Sequence, residues 1–249
     1  MKITKQVEDL LIDKMKIIRT PGKADLCLVG PVKLPIQQGN FAANFQYYTW
    51  HQLDSDVNTK EKVLNSLATA NLAFGQQSSV LVYGDFEKGK DSLVRMHSIC
   101  HTGDIFGSRR CDCGYQLHQS MKMVAEHGCG AIFYLANHEG RGIGLFSKSL
   151  AYLLQQEGYD TVEANHALGF EDDTRSYDQA IRVLKTLRRK SVTLITNNPK
   201  KLKALKAHGL TANDHIPLWG GLTEENRSYL NTKIQKSGHL SHENPTLTL

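Results

Sequence analysis

Long apolar runs are missing from this sequence. No stretch approaches the ~18 residues that a membrane-spanning helix requires, so no membrane partner is expected. The opening residues Met1-Lys2-Ile3-Thr4-Lys5-Gln6 lack the apolar core of a secretory signal. Cysteine is scarce, five among 249 residues. An odd number, mostly crowded into one stretch, does not make a disulfide framework. A reduced, cytoplasmic setting with a bound metal is the better expectation. There is no internal repeat and no low-complexity tract, which excludes a solenoid. No run of basic residues with interleaved aromatics is present either, which argues against a zinc module that binds nucleic acid. The net charge of +5 and the isoelectric point of about 8.9 still suit an anionic ligand, although the excess is spread along the chain.

What the sequence does have is Cys100 to Cys113, reading C-H-T-G-D-I-F-G-S-R-R-C-D-C. It holds Cys100, Cys111 and Cys113, with Arg109 and Arg110 just ahead of the last two. A structural zinc closes with four protein ligands, whereas a catalytic one keeps a position for water. There is no nearby C-x-x-C partner. His97 and His101 flank the first cysteine and could close the set as a fourth ligand. Three thiolates plus water is the alternative, favoured by the polar, anion-ready segments around them. Such a water is activated near neutral pH. Strong thiolate donors reduce that gain, so a nearby carboxylate or tyrosine would help as proton acceptor.

The remaining chain is β-rich before about residue 95 and alternates strand and helix after it, an α/β layer. Residues 1–34 give few signals beyond a turn at Thr20–Lys23 and an apolar run at Ala24–Val29, where Cys27 reads as a small buried hydrophobe. Gly39–Trp50 alternates as a strand with Phe41, Phe45, Tyr47 and Thr49 on one side. Gln52–Leu72 reads as an insertion or a helix at the sheet edge. Strands are expected at Ser79–Tyr83, Ser92–His97, Ala131–Leu135 and Val192–Thr196, the last clear one. A helix should start after Gly114 and end at Gly128. Ser147 is a candidate cap for another, with Leu150, Ala151, Leu153 and Leu154 inward. Asp160–Ala164 reads as extended and Asn165–Arg175 as a loop. A further helix spans Tyr177–Leu187, and Asn198-Pro199 opens one over 199–208. Residues 241–249 are expected to be a disordered tail.

Three further stretches carry chemistry. Glu139-Gly140-Arg141-Gly142-Ile143-Gly144 follows a strand and precedes a helix. Its glycines admit close backbone approach, Arg141 can grip phosphate, and Glu139 can hold a base edge or a proton. The spacing is not that of a dinucleotide fingerprint. Asp172-Asp173-Thr174-Arg175 sits in a loop, where such charges are commonly just a solvated surface. Thr196-Asn197-Asn198-Pro199-Lys200-Lys201 sets a hydroxyl, amides and lysines at a strand end and helix N-terminus, a natural phosphate site.

Taken together, these stretches resemble the GTP cyclohydrolase II family. The likeness runs from about Val80 to Leu240 and is carried by five ordered motifs. They are R-M-H-S-I-C-H-T-G-D-I-F-G-S-R-R-C-D-C-G-Y-Q, H-E-G-R-G-I-G-L, G-Y-D-T-V-E-A-N-H-A-L-G-F, D-x-R and T-N-N-P-K-K. Before about residue 75 only Gly39-Asn40-Phe41 is similar. The resemblance implies an α/β (α+β) fold, a mixed sheet flanked by helices, with a β-rich segment and insertion over 1–78 and a catalytic domain over 79–240. It implies zinc-dependent hydrolysis of GTP, the first step of riboflavin biosynthesis. Cys100, Cys111 and Cys113 match the ligands of one Zn²⁺ per chain, which activates water toward guanine C8. A second hydration releases formate, and pyrophosphate leaves with the help of Mg²⁺. The product would be 2,5-diamino-6-(5-phosphoribosylamino)pyrimidin-4(3H)-one. Arg95, Met96, His97, Ser98, Ile99, Gln116, Glu139, Gly140, Arg141, Thr161, Thr196 and Lys201 match GTP-contacting positions. Asp173 matches the proton acceptor, Arg175 the nucleophile toward the α-phosphate, and Tyr152 a tyrosine near the ring-opening site. A guanidinium stays protonated, so a charge clamp suits Arg175 better than nucleophilic attack. The resemblance also implies a cytoplasmic homodimer. Two positions depart from the pattern. Ile99 stands where a carboxylate or amide is usual, and His138 where Gln or Arg is usual. An early-stopping paralogue, or one acting on a related purine nucleotide, is the alternative that Ile99 raises.

Overall fold

In the computed structural model, residues 3–240 are described, with the backbone alone over 212–214. The tail expected to be disordered, 241–249, lies outside the described residues. The N-terminal part is built from neighbours in sequence. Thr4 caps α1 (Lys5–Ile12) by accepting from Val7 N. β1 (Met15–Ile18), β2 (Leu26–Gln38), β3 (Phe41–Gln52) and β4 (Ser79–Tyr83) then pair antiparallel in chain order. The alternation along β3 serves two buried faces. Phe41, Ala43 and Phe45 pack on one side of the sheet with Leu81 and Ile132. Tyr48 and Trp50 pack on the other with Val80, Val82 and Phe133. The segment read as an insertion or edge helix contains α2 (Lys60–Ser66), whose Val63 and Leu64 close a small core against Met15, Cys27 and Leu53.

The second part is parallel. β5 (Leu93–Ser98), β6 (Gly130–Leu135), β7 (Val192–Ile195) and β8 (Thr211–Ile216) complete one eight-stranded mixed sheet ordered β1-β2-β3-β4-β6-β5-β7-β8. Between them run α3 (His101–Asp104), α4 (Cys113–His127), α5 (Gly144–Gln156), α6 (Thr161–Ala167), α7 (Asp178–Leu187) and α8 (Pro199–Lys206). α9 (Arg227–Gln235) follows β8. The architecture is α/β with an antiparallel N-terminal part. No helix among the described residues is long and apolar enough to cross a membrane.

Several local expectations are corrected. The stretch from Asp160 is helical, because Asp160 and Glu163 form a reciprocal capping box at the start of α6. Ser147 lies inside α5 rather than capping it. The buried face of that helix carries Lys148 and Ala151, which turns Leu150 (39% exposed) and Leu153 (59% exposed) outward. α4 begins at Cys113 itself. β7 is not the last strand. The polar run forming β8 pairs with β7 at the sheet's edge, where period-two apolarity is not required.

The strand order places the candidate site. The chain leaves β5 to one side to form β6, then crosses back to form β7 on the other side. Connections that part this way open a crevice beyond the carboxyl ends of the strands. Cys100 follows β5 there, and Thr196 follows β7.

Candidate active site and metal centre

Beyond those strand ends lies a cavity of about 380 Å³. The Sγ atoms of Cys100, Cys111 and Cys113 all lie within 4.8 Å of one another in its wall. Cys100 and Cys111 sulfurs are 3.6 Å apart. A tetrahedral zinc with bonds of about 2.3 Å sets its sulfurs about 3.8 Å apart, so the donor set fits that ion. Gly103 confirms that the space is shaped around the sulfurs. A Cβ there would stand 2.8 Å from Cys111 Sγ and 3.1 Å from Cys100 Sγ. Among the described residues no histidine or carboxylate joins the three sulfurs. His97 faces Asp104 through Nε2 at 3.0 Å and stacks on Tyr134. His101 packs its ring edge-on against Phe106.

Buried groups hold Cys100 in place. Asp104 accepts from Cys100 N at 2.9 Å and from Tyr134 Oη at 3.1 Å. Lys148 Nζ donates to Glu139 Oε1 at 2.6 Å and lies 3.3 Å from Cys100 Sγ. Burial opposes the Lys148 charge, but Cys100 and Glu139 outweigh it and hold its pKa above the usual lysine range. Hydrogen bonds from Cys111 and Cys113, with Lys148 nearby, hold the Cys100 thiol far below its usual range. Cys111, hydrogen-bonded to it, is pushed up to about 11. Glu139 is 2% exposed, and its other oxygen accepts from His101 N at 2.7 Å. Both its oxygens therefore brace the Cys100 loop.

The rest of the wall is cationic. Nine lysine and arginine side chains line the cavity against three carboxylates. Arg95 donates to Ile195 O at 3.0 Å and to Gln116. Lys201 donates to Met96 O at 2.6 Å. Burial, then the repulsion of Arg95 and Arg175, pushes the Lys201 ammonium well below its usual pKa. Asp173 takes Arg175 in a two-pronged pair, Nε to Oδ1 at 2.7 Å and Nη2 to Oδ2 at 2.8 Å. Burial disfavours the Asp173 charge, but Arg175 outweighs it and holds the carboxyl well below the usual range. The Gly140–Gly144 turn is strained to reach the site. Arg141 is left-handed at φ 67°, and its carbonyl accepts from Thr174 N at 3.2 Å. A Cβ on Gly142 would stand 2.2 Å from Thr174 Oγ1, so only glycine admits this docking.

This cluster of sulfurs, clamped acid and cations coincides with a family match. The model for GTP cyclohydrolase II matches residues 51–217. The chain belongs to the GTP cyclohydrolase II family. It is 48% identical over 169 residues to the riboflavin biosynthesis protein RibBA of Bacillus subtilis, covering 68% of this chain and 42% of that one. It is 46% identical over 176 residues to RibBA of Bacillus cereus (strain B4264), 71% of this chain and 44% of that one. A probable bifunctional riboflavin biosynthesis protein, RIBA 1, chloroplastic, of Oryza sativa subsp. japonica is 47% identical over 176 residues, 71% of this chain and 33% of that one. The chain spans less than half the length of these relatives.

Of the residues that the family resemblance singles out, the fold brings nearly all to one cavity. Arg95, His97, Ser98, Ile99, Gln116, Glu139, Gly140, Arg141, Tyr152, Thr161, Asp173, Arg175, Thr196 and Lys201 line it with the three cysteines. Met96 does not. Its side chain is fully buried in the core on one face of the sheet, and only its carbonyl serves the site. Tyr152 Oη lies 3.2 Å from Thr102 Oγ1, and Arg110 sits over its ring at 4.5 Å. Sequence reasoning missed Lys148, which stands one helical turn before Tyr152, a spacing that could have flagged it. It also missed the contribution of α9. Tyr229 Oη is 3.6 Å from Cys113 Sγ, and Lys233 pairs with Asp112 at 3.0 Å. No local pattern marks either.

Proposed function

We propose that this chain is a zinc-dependent GTP cyclohydrolase II. It would open the guanine imidazole ring at C8 and release formate and pyrophosphate, giving 2,5-diamino-6-(5-phosphoribosylamino)pyrimidin-4(3H)-one at the start of riboflavin biosynthesis. The observation that carries this reading is the placing of three clustered thiols in the wall of a cationic cavity that also holds the Asp173–Arg175 pair. Zinc held by Cys100, Cys111 and Cys113 would supply an activated water.

The chain's own residues do the rest. The nine cations attract the triphosphate and raise its local concentration. A bound polyphosphate would give Lys201 a counter-charge, restoring the ammonium that burial suppresses. Arg141 and Thr161 line the same cavity and would contact the substrate. The ionised Asp173 would serve as the proton acceptor, and Tyr152, which burial keeps as a neutral phenol, would stand near the ring-opening site. Arg175 acts as a clamp on the α-phosphate, because Asp173 fixes its fork and leaves it fully charged. Mg²⁺ would accompany the pyrophosphate. The catalytic unit is 79–240, and the N-terminal strands support it.

The protein would work in the cytoplasm as a homodimer, without a nucleic-acid or membrane partner. Phe146, Leu150 and Leu153 form an exposed apolar stripe along α5 suited to a second copy. Light scattering at micromolar concentration checks this, and a monomer would reject it. The second reading, an early-stopping enzyme, is favoured by Ile99, whose apolar side chain lines the cavity.

Incubation with GTP, Zn²⁺ and Mg²⁺, following formate and pyrophosphate separately, tests both. Equal release supports the full reaction. Pyrophosphate without formate supports the early stop. No GTP turnover by zinc-loaded protein rejects the assignment. Arg175→Lys keeps the charge and loses the fork, and near-normal pyrophosphate release in that variant would count against the clamp.

A further inference from the structure

The Arg175 guanidinium is held on more than the Asp173 side. Its Nη1 donates to Ser98 Oγ at 3.3 Å. Ser98 Oγ in turn lies 3.1 Å from Nδ1 of His138. Nε2 of His138 lies 2.9 Å from the Ser176 carbonyl. That carbonyl can only accept, so Nε2 carries the proton and Nδ1 is the bare acceptor. The Ser98 hydroxyl must then point its hydrogen at His138, which leaves its lone pairs facing Arg175. The opposite tautomer would set two lone pairs against each other at the Ser176 carbonyl. His138 is 1% exposed and packs its ring edge-on against Tyr177, so it has no freedom to turn away.

We infer that His138 is a positioning residue: as a single neutral tautomer it orients Ser98, and Ser98 fixes the edge of Arg175 that Asp173 does not hold. The guanidinium is thereby gripped from both ends. Its remaining N–H groups are aimed at the cavity in one geometry rather than several, which is where misplacement by even a small distance lowers a rate. The inference rests on the proposed reaction for its kinetic consequence, but its geometric content does not.

Two arms test it with the zinc-loaded full chain. In the first, pyrophosphate release from GTP is compared for wild type, His138→Gln and His138→Leu. Glutamine offers an acceptor and an N–H on the same side chain, so kcat should stay within about threefold, whereas leucine should lower kcat roughly 10- to 50-fold with KM little changed. A His138→Leu enzyme with wild-type kcat, or a glutamine variant as damaged as the leucine one, overturns the role. In the second arm no turnover is needed. Nitrogen-15 NMR of the imidazole should show Nε2 protonated and Nδ1 bare. The Arg175 Nη signals should be resolved by hindered rotation in wild type and His138→Gln and averaged in His138→Leu. A protonated Nδ1, or an equally hindered Arg175 in His138→Leu, overturns the inference even if GTP proves not to be the substrate. Failure of the wild type to turn over GTP, with these signals as expected, rejects the function and leaves the positioning intact.

Discussion

The two halves of the sheet bury different things. Among the described residues, every buried polar or charged side chain lies at or beyond Ser78, and those before it are apolar. The antiparallel half is therefore a platform held by ordinary burial, with Phe45, Trp50 and Leu26 almost fully enclosed. The parallel half carries Arg95, Glu139, Lys148 and Lys201 inside it, each a desolvation cost that only partners or a ligand can offset. One continuous sheet thus separates stability from chemistry. Changes in the first half should move the folding equilibrium alone, and changes in the second should also move binding and turnover.

The sharpest way to break this contrast is at the sulfurs. Cys111→Ser should lose bound zinc and lower GTP turnover at least ~10³-fold, with the cooperative unfolding of the sheet retained. Zinc analysis and formate release check this, and a variant that still turns over would dissolve the distinction. Next is Phe45→Ala, 1% exposed in the original, which should cost about 3–5 kcal/mol in denaturant unfolding. The folded fraction should keep its kcat, and a parallel fall in kcat would show that the platform tunes the site.

The third test is pH. Burial, helped by Arg175 and Lys201 and opposed by the Ser176 carbonyl and Asp173, lowers His138 from 6.5 to about 4. The unfolded chain therefore takes up this proton first as pH falls. The stability His138 contributes is complete above about pH 6.5 and is lost between there and pH 4, on the order of 3 kcal/mol. Wild-type stability should fall more steeply than that of His138→Gln across this window, and superimposable curves would contradict it. The smallest effect is expected at the rim. Thr59 caps α2 by accepting from Lys62 N, so Thr59→Ala should cost about 0.5–1 kcal/mol. It should leave turnover unchanged, as steady-state rates would show.

Much of the site was legible because its signals are local. Three cysteines within fourteen residues mark a candidate metal site whatever the fold, and Asn198-Pro199 marks a helix start, with Asn198 accepting from Lys200 N. The same locality explains the errors. Asp160 and Glu163 already spelled a capping box, yet the short segment read as extended because its apolar pattern is weak. Along α5, the leucines pointed to a buried face that the fold gives instead to Lys148 and Ala151. A lysine goes inside only when a partner such as Glu139 meets it there, and no periodicity encodes that meeting.

By itself the sequence determined the cysteine cluster, the capped helices and the alternation of strand and helix. Each of these depends on residues within a turn or two of one another. Tertiary structure alone decided that β7 would lie beside β5, bringing Thr196 and Lys201 opposite Cys100. It also decided that α9 would return Lys233 to Asp112, 121 residues away. Those meetings follow from strand order and crossover direction, which are set by the burial of whole faces and not by any short run of side chains.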